Sequence, residues 1–512
     1  MTLRLPDRPR PLRGTYLART LRNLIVWSTA PQSYLRGRWL FVRIVAACFI
    51  AGFWALTNQV LGLVGSDGLA PVGLRWLSLE AAVGDRGIDL LLRCEAIAGV
   101  VLGVLVFVNV VPKAALVLLT LLWSLCLYQL GPFDAYQPDA ILVSAGLCAA
   151  IVAPPSGRPG LGVAHPPSRI ELLTVWTLLF GIYWGSAILK MQNPAWRAFT
   201  VMDHYWESAP VPAWTGWFVQ TYLPRTAVRA LCALVLASET LGPLLLLGGR
   251  RSRLCFVWLN LALQLGIALT ASYSFLNLLV IGLGMLALED SVGSVEIDAA
   301  NTWRIVDRTF RRSLLRSIVP AAYVVGSVAM MLPRLIPLSF EPFHVRGPSP
   351  GPGHLINTYG LYEQVGNTGY RVQIEGSDDG TTWYPYRYRC LPMDERARPQ
   401  LVWPYQCRLD WFMWRVSRLG VIEGGGFISA VMRGIASGST QVASLFDGAA
   451  RRAPPRRLRV ALLQYGFATP SERAAGKWWT TRTLEEHEGE LTPPQVLGAP
   501  ATTTGLSTLE SN

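Results

Sequence analysis

The stretch IAGVVLGVLVFVNVVPKAALVLLTLLWSLCLYQL, residues 97–130, decides the fold class. Pro112 and Lys113 interrupt it and divide it into two apolar runs. A helix needs about 20 apolar residues to cross a hydrocarbon core about 30 Å thick, and both runs come near that length. Each run therefore predicts a transmembrane helix, with a re-entrant hairpin as the alternative for so closely spaced a pair.

Apolar runs of the same kind lie on both sides of this pair. The complete set of predicted spans is 40–63, 97–111, 114–130, 140–153, 170–189, 228–247, 254–270, 275–288 and 314–332. The fourth and the eighth are short, so the expected number is eight or nine. The sequence therefore predicts a polytopic α-helical membrane protein whose helical bundle occupies residues 39–333.

The composition of the whole chain agrees with this class. Hydrophobic residues make up 51% and charged residues 15% of the chain, and the mean hydropathy is +0.32. The net charge of +13 comes from arginines in loops beside apolar runs, not from a basic face on a soluble fold. It therefore predicts contact with the surface of a lipid bilayer, and nucleic acid is not a predicted partner.

The distribution of arginine predicts how the bundle is oriented. The N-terminal arm (1–38) and alternate loops carry Arg4, Arg8, Arg10, Arg13, Arg19, Arg22, Arg36, Arg38, Lys113, Arg158, Arg169, Arg250, Arg251, Arg253, Arg304, Arg308, Arg311 and Arg312. Because short cytoplasmic loops are enriched in Lys and Arg, we expect these segments to face the cytoplasm. Nine spans then place the C-terminal domain on the exoplasmic side. The membrane would be the inner membrane of a bacterium, or the endoplasmic reticulum membrane in a eukaryote.

The basic N-terminal arm has two interpretations. Leu17, Leu21, Leu24 and Ile25 recur at helical spacing, which suits an amphipathic helix in the headgroup layer. A disordered basic tail is the alternative, and the residues do not decide between them.

The composition of the sequence changes after the last predicted span. GPSPGPG at 347–353 is typical of a linker. Residues 370–375 alternate apolar and polar, GSDDG at 376–380 provides a turn, and 382–388 are aromatic, so this segment predicts a β-hairpin. A second β-like stretch, 459–467, follows. We predict a β-rich soluble domain over 334–484 and a disordered tail over 485–512.

Standard catalytic signatures and metal-ligand spacings are missing from the sequence, so neither an enzyme class nor a cofactor is predicted. The loop KMQNPAWRAFTVMDHYWESAPVP, 190–212, gathers Asp203, His204, Tyr205 and Glu207, which could provide acid and base groups. The alternative is a loop whose aromatic residues anchor in the membrane interface, and the residues alone favour it. Those aromatic residues are Trp196, Tyr205, Trp206, Trp214 and Trp217.

Two further groups of residues could carry chemistry. Glu239, and Asn260 with Gln264 one turn apart, lie within predicted spans, where polar side chains are either functional or hydrogen-bonded to neighbouring helices. Cys390 and Cys407 are the two cysteines of the soluble domain. In an oxidising compartment they would form a disulfide, and two buried thiols are the alternative.

Several blocks of the sequence resemble the lipase maturation factor family. The C-terminal blocks are NTYGLYEQV from Asn357, RVQIEGSDDGTTWYPYRYR from Arg371 and QLVWPYQCRLDWFMW from Gln400. QVLGLVGSDGLAP from Gln59, the loop at 190–212 and YGFATPSERAAGKWW from Tyr465 extend the resemblance over most of the chain. Cys390 and Cys407 replace other residues of the family, as a lineage-specific disulfide would require, and Tyr405 replaces a usual histidine. The turn at 376–383 also resembles hairpins of discoidin-like jelly-roll modules, which implies a β-sandwich.

The family resemblance implies a polytopic membrane protein that assists the folding or assembly of secreted lipases, in animals within the endoplasmic reticulum. It implies an exported client and no turnover chemistry. The motif residues expected to bind the client or to hold that surface in shape are Trp196, Arg197, His204, Tyr205, Glu207, Asn357, Tyr359, Gly360, Ser377, Asp378, Asp379, Gly380, Trp383, Arg408, Asp410 and Trp411. The alternative is a membrane-embedded enzyme that modifies a lipid or an exported polypeptide with Lys190, His204, Glu207 and Glu239.

Overall fold

The structure is a computed structural model that describes residues 16–72, 80–134, 136–155, 159–290, 310–335, 352–362, 369–423, 425–449 and 453–486. Its α-helices are α1 (Tyr16–Thr29), α2 (Leu35–Thr57), α3 (Val60–Val64), α4 (Glu80–Phe107), α5 (Pro112–Leu130), α6 (Gln137–Val152), α7 (Arg169–Gln192), α8 (Pro194–Arg197), α9 (Trp214–Tyr222), α10 (Arg225–Leu241), α11 (Arg250–Thr270), α12 (Leu276–Met285), α13 (Phe310–Leu335), α14 (Arg408–Glu423), α15 (Gly425–Ala436), α16 (Thr440–Ala443) and α17 (Pro470–Ala474). Short 3-10 helices cover Gly131–Asp134, Val201–Asp203, Gly242–Leu247 and Pro352–His354. The strands are β1 (Gly369–Ser377), β2 (Trp383–Pro385), β3 (Arg457–Phe467) and β4 (Trp479–Glu486).

The helical bundle confirms the predicted fold class. Seven helices among the described residues are long and apolar enough to cross a membrane: Leu35–Thr57, Gly84–Phe107, Pro112–Asp134, Arg169–Gln192, Arg225–Leu247, Arg250–Thr270 and Leu315–Pro333. The other two predicted spans are α6 and α12, which have 16 and 10 residues. Both are buried along most of their length, so they pack inside the bundle and are too short to span it alone. Counting them as spans gave the predicted number of eight or nine.

One end of the bundle is organised around the N-terminus of α2. Asp290 accepts hydrogen bonds from the backbone N–H groups of Leu35 (2.8 Å) and Arg36 (3.2 Å), which a helix cannot satisfy internally. The buried Arg38 donates to the carbonyl oxygens of Leu161 (2.7 Å) and His165 (2.5 Å) in the α6–α7 loop. We call this end, which also contains the starts of α7 and α11, the first face.

The second face is the opposite end of the bundle, where α2, α5, α7, α11 and α13 end. It contacts the described residues between 352 and 486, and we call that contact the domain interface. Between the faces, Trp123 is fully buried among Phe49, Phe53 and Phe275, with ring centroids 4.9 to 6.3 Å apart. Buried aromatic rings of this kind contribute much apolar area, so this cluster joins α2, α5 and α12.

The C-terminal domain contains the predicted β-hairpin. β1 pairs antiparallel with β2, and Ser377 faces Trp383 across the predicted turn. β3, which covers the second predicted β-like stretch, pairs with β1, and β4 pairs with β3, so the sheet order is β2-β1-β3-β4. The β-rich domain was therefore predicted in outline.

The second layer of this domain is helical, so the β-sandwich expectation is wrong for the described residues, which form a single sheet. α14 packs on that sheet, and its Ser417 hydroxyl donates to the carbonyl oxygen of Tyr370 on β1 (2.9 Å). The helical signal was present in the sequence, because buried residues of α14 and α15 recur at helical spacing. They are Leu409, Phe412, Met413, Val416, Phe427, Ile428, Val431, Met432 and Ile435.

The ends of the chain are only partly described. Residues 16–29 are helical, which agrees with the first of the two interpretations of the arm, while the position of α1 in a headgroup layer remains a prediction. Of the predicted tail, residues 485 and 486 belong to β4 and the remainder lies outside the described residues, as does most of the linker at 347–353. The predicted domain boundaries remain predictions.

Candidate functional site at the domain interface

The family block that begins at Asn357 inserts into the second face of the bundle. The Asn357 amide donates to the hydroxyl of Ser144 on α6 (2.9 Å), which also hydrogen-bonds the hydroxyl of Tyr359 (2.9 Å). Gly360 and Gln137 exchange two hydrogen bonds of 3.0 Å between the backbone of one and the side chain of the other. Irregular backbone is tolerated inside a bundle only when its polar groups are satisfied, and helix side chains satisfy this block.

A glycine on α7 makes room for this insertion. The backbone N–H of Leu361 donates to the hydroxyl of Ser186 (2.9 Å). One residue earlier, a Cβ atom at Gly185 would clash with the carbonyl oxygen of Tyr359. The close approach of this block to α7 therefore requires glycine at position 185.

Arg408, the first residue of α14, forms a buried ion pair with Asp139 on α6. Its guanidinium nitrogens lie 2.8 and 3.0 Å from the two carboxylate oxygens, and it also donates to the carbonyl oxygen of Phe133 (3.3 Å). Both side chains of the pair are 0% exposed. The face of the Trp123 ring lies 5.5 Å from the guanidinium. Bidentate geometry and an aromatic face suit arginine specifically.

Gln59 joins a second family block to the same position. Its side-chain oxygen accepts from the backbone N–H of Arg408 (2.9 Å), and its nitrogen donates to the carbonyl oxygen of Gln406 (2.8 Å). It also donates to the hydroxyl of Tyr405 (3.2 Å). The end of α2 and the start of α14 are therefore held together by one amide side chain.

Asp89 of α4 joins the rest of the block that begins at Gln59 to the C-terminal domain. This carboxylate accepts from the backbone N–H (2.8 Å) and hydroxyl (3.0 Å) of Ser66 and from the amide of Gln441 (2.5 Å). The Ser439 hydroxyl donates to the carbonyl oxygen of Asp67 (2.6 Å). Residues 59–71 are thus fixed between α4 and α16.

The loop at 190–212 is enclosed between the bundle and the C-terminal domain. The Trp196 indole donates to the carbonyl oxygen of Tyr362 (3.2 Å), and that of Trp414 donates to the carbonyl oxygen of Ser208 (3.0 Å). Four of the five aromatic residues proposed as membrane anchors are buried: Trp196, Tyr205, Trp206 and Trp217. The aromatic-belt interpretation is therefore wrong for these four, which form part of the core of the domain interface.

The four residues of the enzyme alternative form two separate pairs. Inside the bundle Lys190 is paired with Glu239, and both are buried. His204 Nδ1 lies 2.6 Å from Glu207, whose second carboxylate oxygen accepts from the backbone N–H of Phe467 on β3 (2.9 Å). Glu207 thus ties the loop to the sheet. The part of the chain that the structure describes holds no group of three or more potential metal ligands.

Asn260 and Gln264 hydrogen-bond to neighbouring helices. The Tyr183 hydroxyl on α7 donates to Asn260 (2.5 Å) and accepts from Gln264 (3.2 Å). The Asn277 amide on α12 donates to Gln264 (2.9 Å). This chain of contacts joins α7, α11 and α12, which is the structural role that the sequence allowed for these residues.

Asp410 organises the C-terminal side of the domain interface. Its carboxylate accepts from the backbone N–H groups of Cys390 (2.6 Å) and Leu391 (3.0 Å), and burial raises the pKa of this carboxyl to about 6. Cys390 and Cys407 form a disulfide with Cα atoms 6.3 Å apart. Trp411 packs edge-on against Tyr136 of the bundle at 5.4 Å.

The turn between β1 and β2 is the exposed part of the family motif. The Asp379 carboxylate accepts from the backbone N–H groups of Thr381 (2.8 Å) and Thr382 (2.7 Å), and these hydrogen bonds hold its pKa well below its usual range. The Ser377 hydroxyl accepts from the N–H of Gly380, whose φ of +77° favours glycine. Asp378, Asp379, Thr381 and Thr382 are exposed. The turn is therefore rigid and accessible.

Most of the motif residues thus fall into two groups. Asn357, Tyr359, Gly360, Arg408, Asp410, Trp411, Trp196, Tyr205 and Glu207 are buried at the domain interface. Arg197, His204, Asp378 and Asp379 are exposed, and Trp383 is half-buried under Arg459, whose guanidinium lies 4.4 Å from the ring. Their bundle partners Gln59, Gln137, Asp139, Ser144 and Ser186 were not among the predicted site residues. Polar residues within or beside apolar spans were the available signal.

Comparison with known proteins covers both sides of this interface. The family described as Lipase maturation factor transmembrane domain matches residues 36–295, and Lipase maturation factor C-terminal domain matches residues 355–488. The chain is 26% identical to Lipase maturation factor 1 of Mus musculus over 509 residues, 89% of this chain and 86% of that protein. It is 25% identical to Lipase maturation factor 2 of Homo sapiens over 610 residues, 92% of this chain and 84% of that protein. No solved structure matches the chain.

Proposed function

Because this chain belongs to the lipase maturation factor family, we propose that it is a membrane-embedded maturation factor for exported lipases or similar secreted clients. Its relatives are named Lipase maturation factor 1 and 2, and they align with both the bundle and the C-terminal domain. These names do not favour the enzyme alternative. On this proposal the chain assists folding or assembly of the client and needs no cofactor.

One structural observation supports this role most directly. The family blocks that begin at Gln59, Lys190, Asn357 and Gln400 meet at the domain interface, where they join the two parts of the chain. A buried ion pair, an inserted backbone segment and an enclosed loop fix the C-terminal domain on the second face. A maturation factor needs a surface held in place at the membrane, and this arrangement would provide one.

The exposed motif residues are the proposed contacts with the client. The turn at Asp378 and Asp379 keeps its shape through its own hydrogen bonds, so binding would cost it little conformational entropy. His204 is half exposed, and its neighbour Glu207 accepts a hydrogen bond from Phe467 on β3. The buried motif residues would instead hold this surface in shape.

We propose that the first face lies in the cytoplasm and that the C-terminal domain is exoplasmic, in the inner membrane of a bacterium. Arg36, Arg38, Arg169, Arg250 and Arg251 lie at the first face, where the positive-inside rule would place them. Alkaline phosphatase fused after residue 486 should be active, and the same enzyme fused before residue 16 should be inactive. The opposite pattern would overturn this orientation.

The function is tested by removing the gene and measuring exported lipases. We expect secreted lipase activity to fall while lipase messenger RNA is unchanged, with inactive lipase retained in the cell. The wild-type chain should restore activity, and Arg408→Gln should restore much less because it disturbs the domain interface. Unchanged activity of every exported lipase in the deletion strain would contradict the proposal.

A further inference from the structure

Helix α9 lies at the boundary between the bundle and the C-terminal domain. On the bundle side the Thr215 hydroxyl donates to the carbonyl oxygen of Leu269, near the end of α11. On the domain side the buried indole of Trp217 donates to the carbonyl oxygen of Ala468 (2.7 Å) and packs on Trp478. α9 therefore sits at the second-face end of a candidate membrane span.

The outer side of α9 exposes aromatic rings. Phe218 is 44% exposed and Tyr222 is 64% exposed, and the two rings stack with centroids 6.2 Å apart. Residues four apart lie on the same side of a helix, so the rings form one surface. Leu265 and Leu269 of the neighbouring α11 are also exposed. The aromatic surface thus continues the apolar surface of a membrane-spanning helix.

Exposed cations flank both ends of α9. Leu223 and Pro224 form the turn after α9. Arg225 and Arg229 then lie at the start of α10, where the next candidate span begins. Arg398 of the C-terminal domain is exposed, and its guanidinium lies 4.5 Å from the Trp214 ring. Arginine at the end of a span extends its charged group to the headgroup layer while its methylene stem covers apolar surface.

We propose that α9 is an interfacial helix and that Arg225, Arg229 and Arg398 bind the phosphates of anionic phospholipids in the leaflet on the side of the C-terminal domain. The exposed rings lie at the boundary between headgroups and acyl chains, as in other amphipathic interfacial helices. The occupant is a phospholipid because the cations adjoin an apolar surface that is continuous with α11. A soluble anion would use the cations without the rings.

This site bears on the domain interface because α9 contacts both parts of the chain. Phospholipids bound at Arg398, beside the start of α9, and at Arg225 and Arg229, after its end, contact the C-terminal domain and the bundle at their outer edge. The Trp217 indole on the same helix donates a hydrogen bond to Ala468 of the C-terminal domain. Anything that binds only the folded chain raises its unfolding temperature, so anionic phospholipid stabilises the docked arrangement.

The test uses the purified full-length chain in neutral detergent. Phosphatidylglycerol should raise the unfolding temperature by a few degrees, and phosphatidylcholine at the same concentration should raise it much less. Inorganic phosphate should give no comparable rise. Native mass spectrometry should detect severalfold more bound phosphatidylglycerol than phosphatidylcholine.

Two variants and one control decide the assignment. Arg225→Gln/Arg229→Gln should abolish the difference between the two lipids, and Phe218→Ser/Tyr222→Ser should reduce the effect of both lipids. Arg250→Gln/Arg251→Gln removes an exposed arginine pair at the first face and should leave the response unchanged. Equal shifts with both lipids, an equal shift with phosphate, or equal loss in the control variant would each overturn the proposal.

Discussion

Arg408 donates two hydrogen bonds to Asp139, 269 residues away along the chain, and water reaches neither side chain. The pair joins the first residue of α14 to the start of α6. Cys407 and Asp410, on either side of Arg408, fix the segment around Cys390 and Leu391. Residues 407–410 therefore connect the bundle, through Arg408, to the segment around Cys390 inside the C-terminal domain.

Removing one partner of this ion pair should destabilise the folded chain. Arg408→Gln leaves the Asp139 carboxylate buried without its cation, and loss of one partner of a buried pair costs about 3–5 kcal/mol. We expect a lower unfolding temperature and earlier protease cleavage of the C-terminal domain. Thermal unfolding and limited proteolysis of the purified full-length chain measure the two effects.

A partly exposed ion pair provides the matched control. Arg459→Gln breaks the contact with Glu375, whose side chains are 32% and 15% exposed. Such a pair contributes within about 1 kcal/mol, so this variant should remain close to the wild type. Equal destabilisation by the two variants would contradict the special role of Arg408.

Gly185→Ala should disturb the inserted block at Asn357. The new methyl group would clash with the carbonyl oxygen of Tyr359, and overpacking of this kind costs about 1–3 kcal/mol. Gly181→Ala is the control on the same helix, because its Cβ would meet its nearest neighbour at 3.5 Å, an ordinary contact. We expect Gly181→Ala to unfold at or above the wild-type temperature and Gly185→Ala below it. The reverse order would show that the block does not approach α7 this closely.

The helices of the bundle could be predicted because the hydrophobic signal of each span lies within one continuous segment of the sequence. Each apolar run carries its own evidence of length and burial, whatever its neighbours are. The domain interface could not be predicted in this way. Asp139 precedes a predicted apolar span and Arg408 lies in a family motif, and nothing local in either segment shows that they meet.

The burial of the aromatic side chains also could not be predicted from the sequence. Trp196, Tyr205, Trp206 and Trp217 are the residue types of a membrane interface, but all four are buried. Trp196, Tyr205 and Trp217 contact the C-terminal domain. The less conspicuous Phe218 and Tyr222 remain exposed. Composition alone does not tell whether a neighbouring domain or lipid covers an aromatic side chain. Neither α14 nor α15 was predicted, although their apolar residues recur at helical spacing.

The stability of the chain should depend on the protonation of Asp410. Burial raises its pKa to about 6, above the unfolded value of about 3.9, so the folded state binds the proton more tightly. The resulting stabilisation is fully present below pH 4, is lost as the pH rises to 6, and is absent above. Two pKa units correspond to about 3 kcal/mol. Asp410→Asn keeps an acceptor for Cys390 and Leu391 but cannot titrate.

The measurement is the unfolding temperature of both proteins between pH 4 and pH 7. The wild type should lose stability relative to Asp410→Asn across this range, and the difference should level off above pH 6.5. Other carboxyl groups titrate equally in both proteins, so they cancel in the comparison. A constant difference between the two curves would contradict the raised pKa.

The disulfide should stabilise the C-terminal domain. Cys390 and Cys407 close a loop with a sequence separation of 17, and a bridge over such a loop contributes about 3 kcal/mol by restricting the unfolded chain. Cys390→Ser/Cys407→Ser should therefore unfold at a lower temperature. Alkylation of the unfolded wild type without reductant should leave these two cysteines unmodified. Modification of both would show that they are thiols.

Variants in the exposed turn can test client binding by the C-terminal domain without disturbing its contact with the bundle. Asp379 accepts hydrogen bonds from Ser377, Thr381 and Thr382, whereas Asp378 accepts one from the Tyr384 hydroxyl. Asp379→Ala should therefore loosen the turn, and Asp378→Ala removes the same charge with less effect on shape. If the turn contacts the client, Asp379→Ala should lower secreted lipase activity severalfold in the deletion strain while protease resistance at the domain interface stays at the wild-type level. Equal lipase activity with all three chains would place the client surface elsewhere, and a fall with Asp378→Ala as large as that with Asp379→Ala would assign the effect to charge instead of shape.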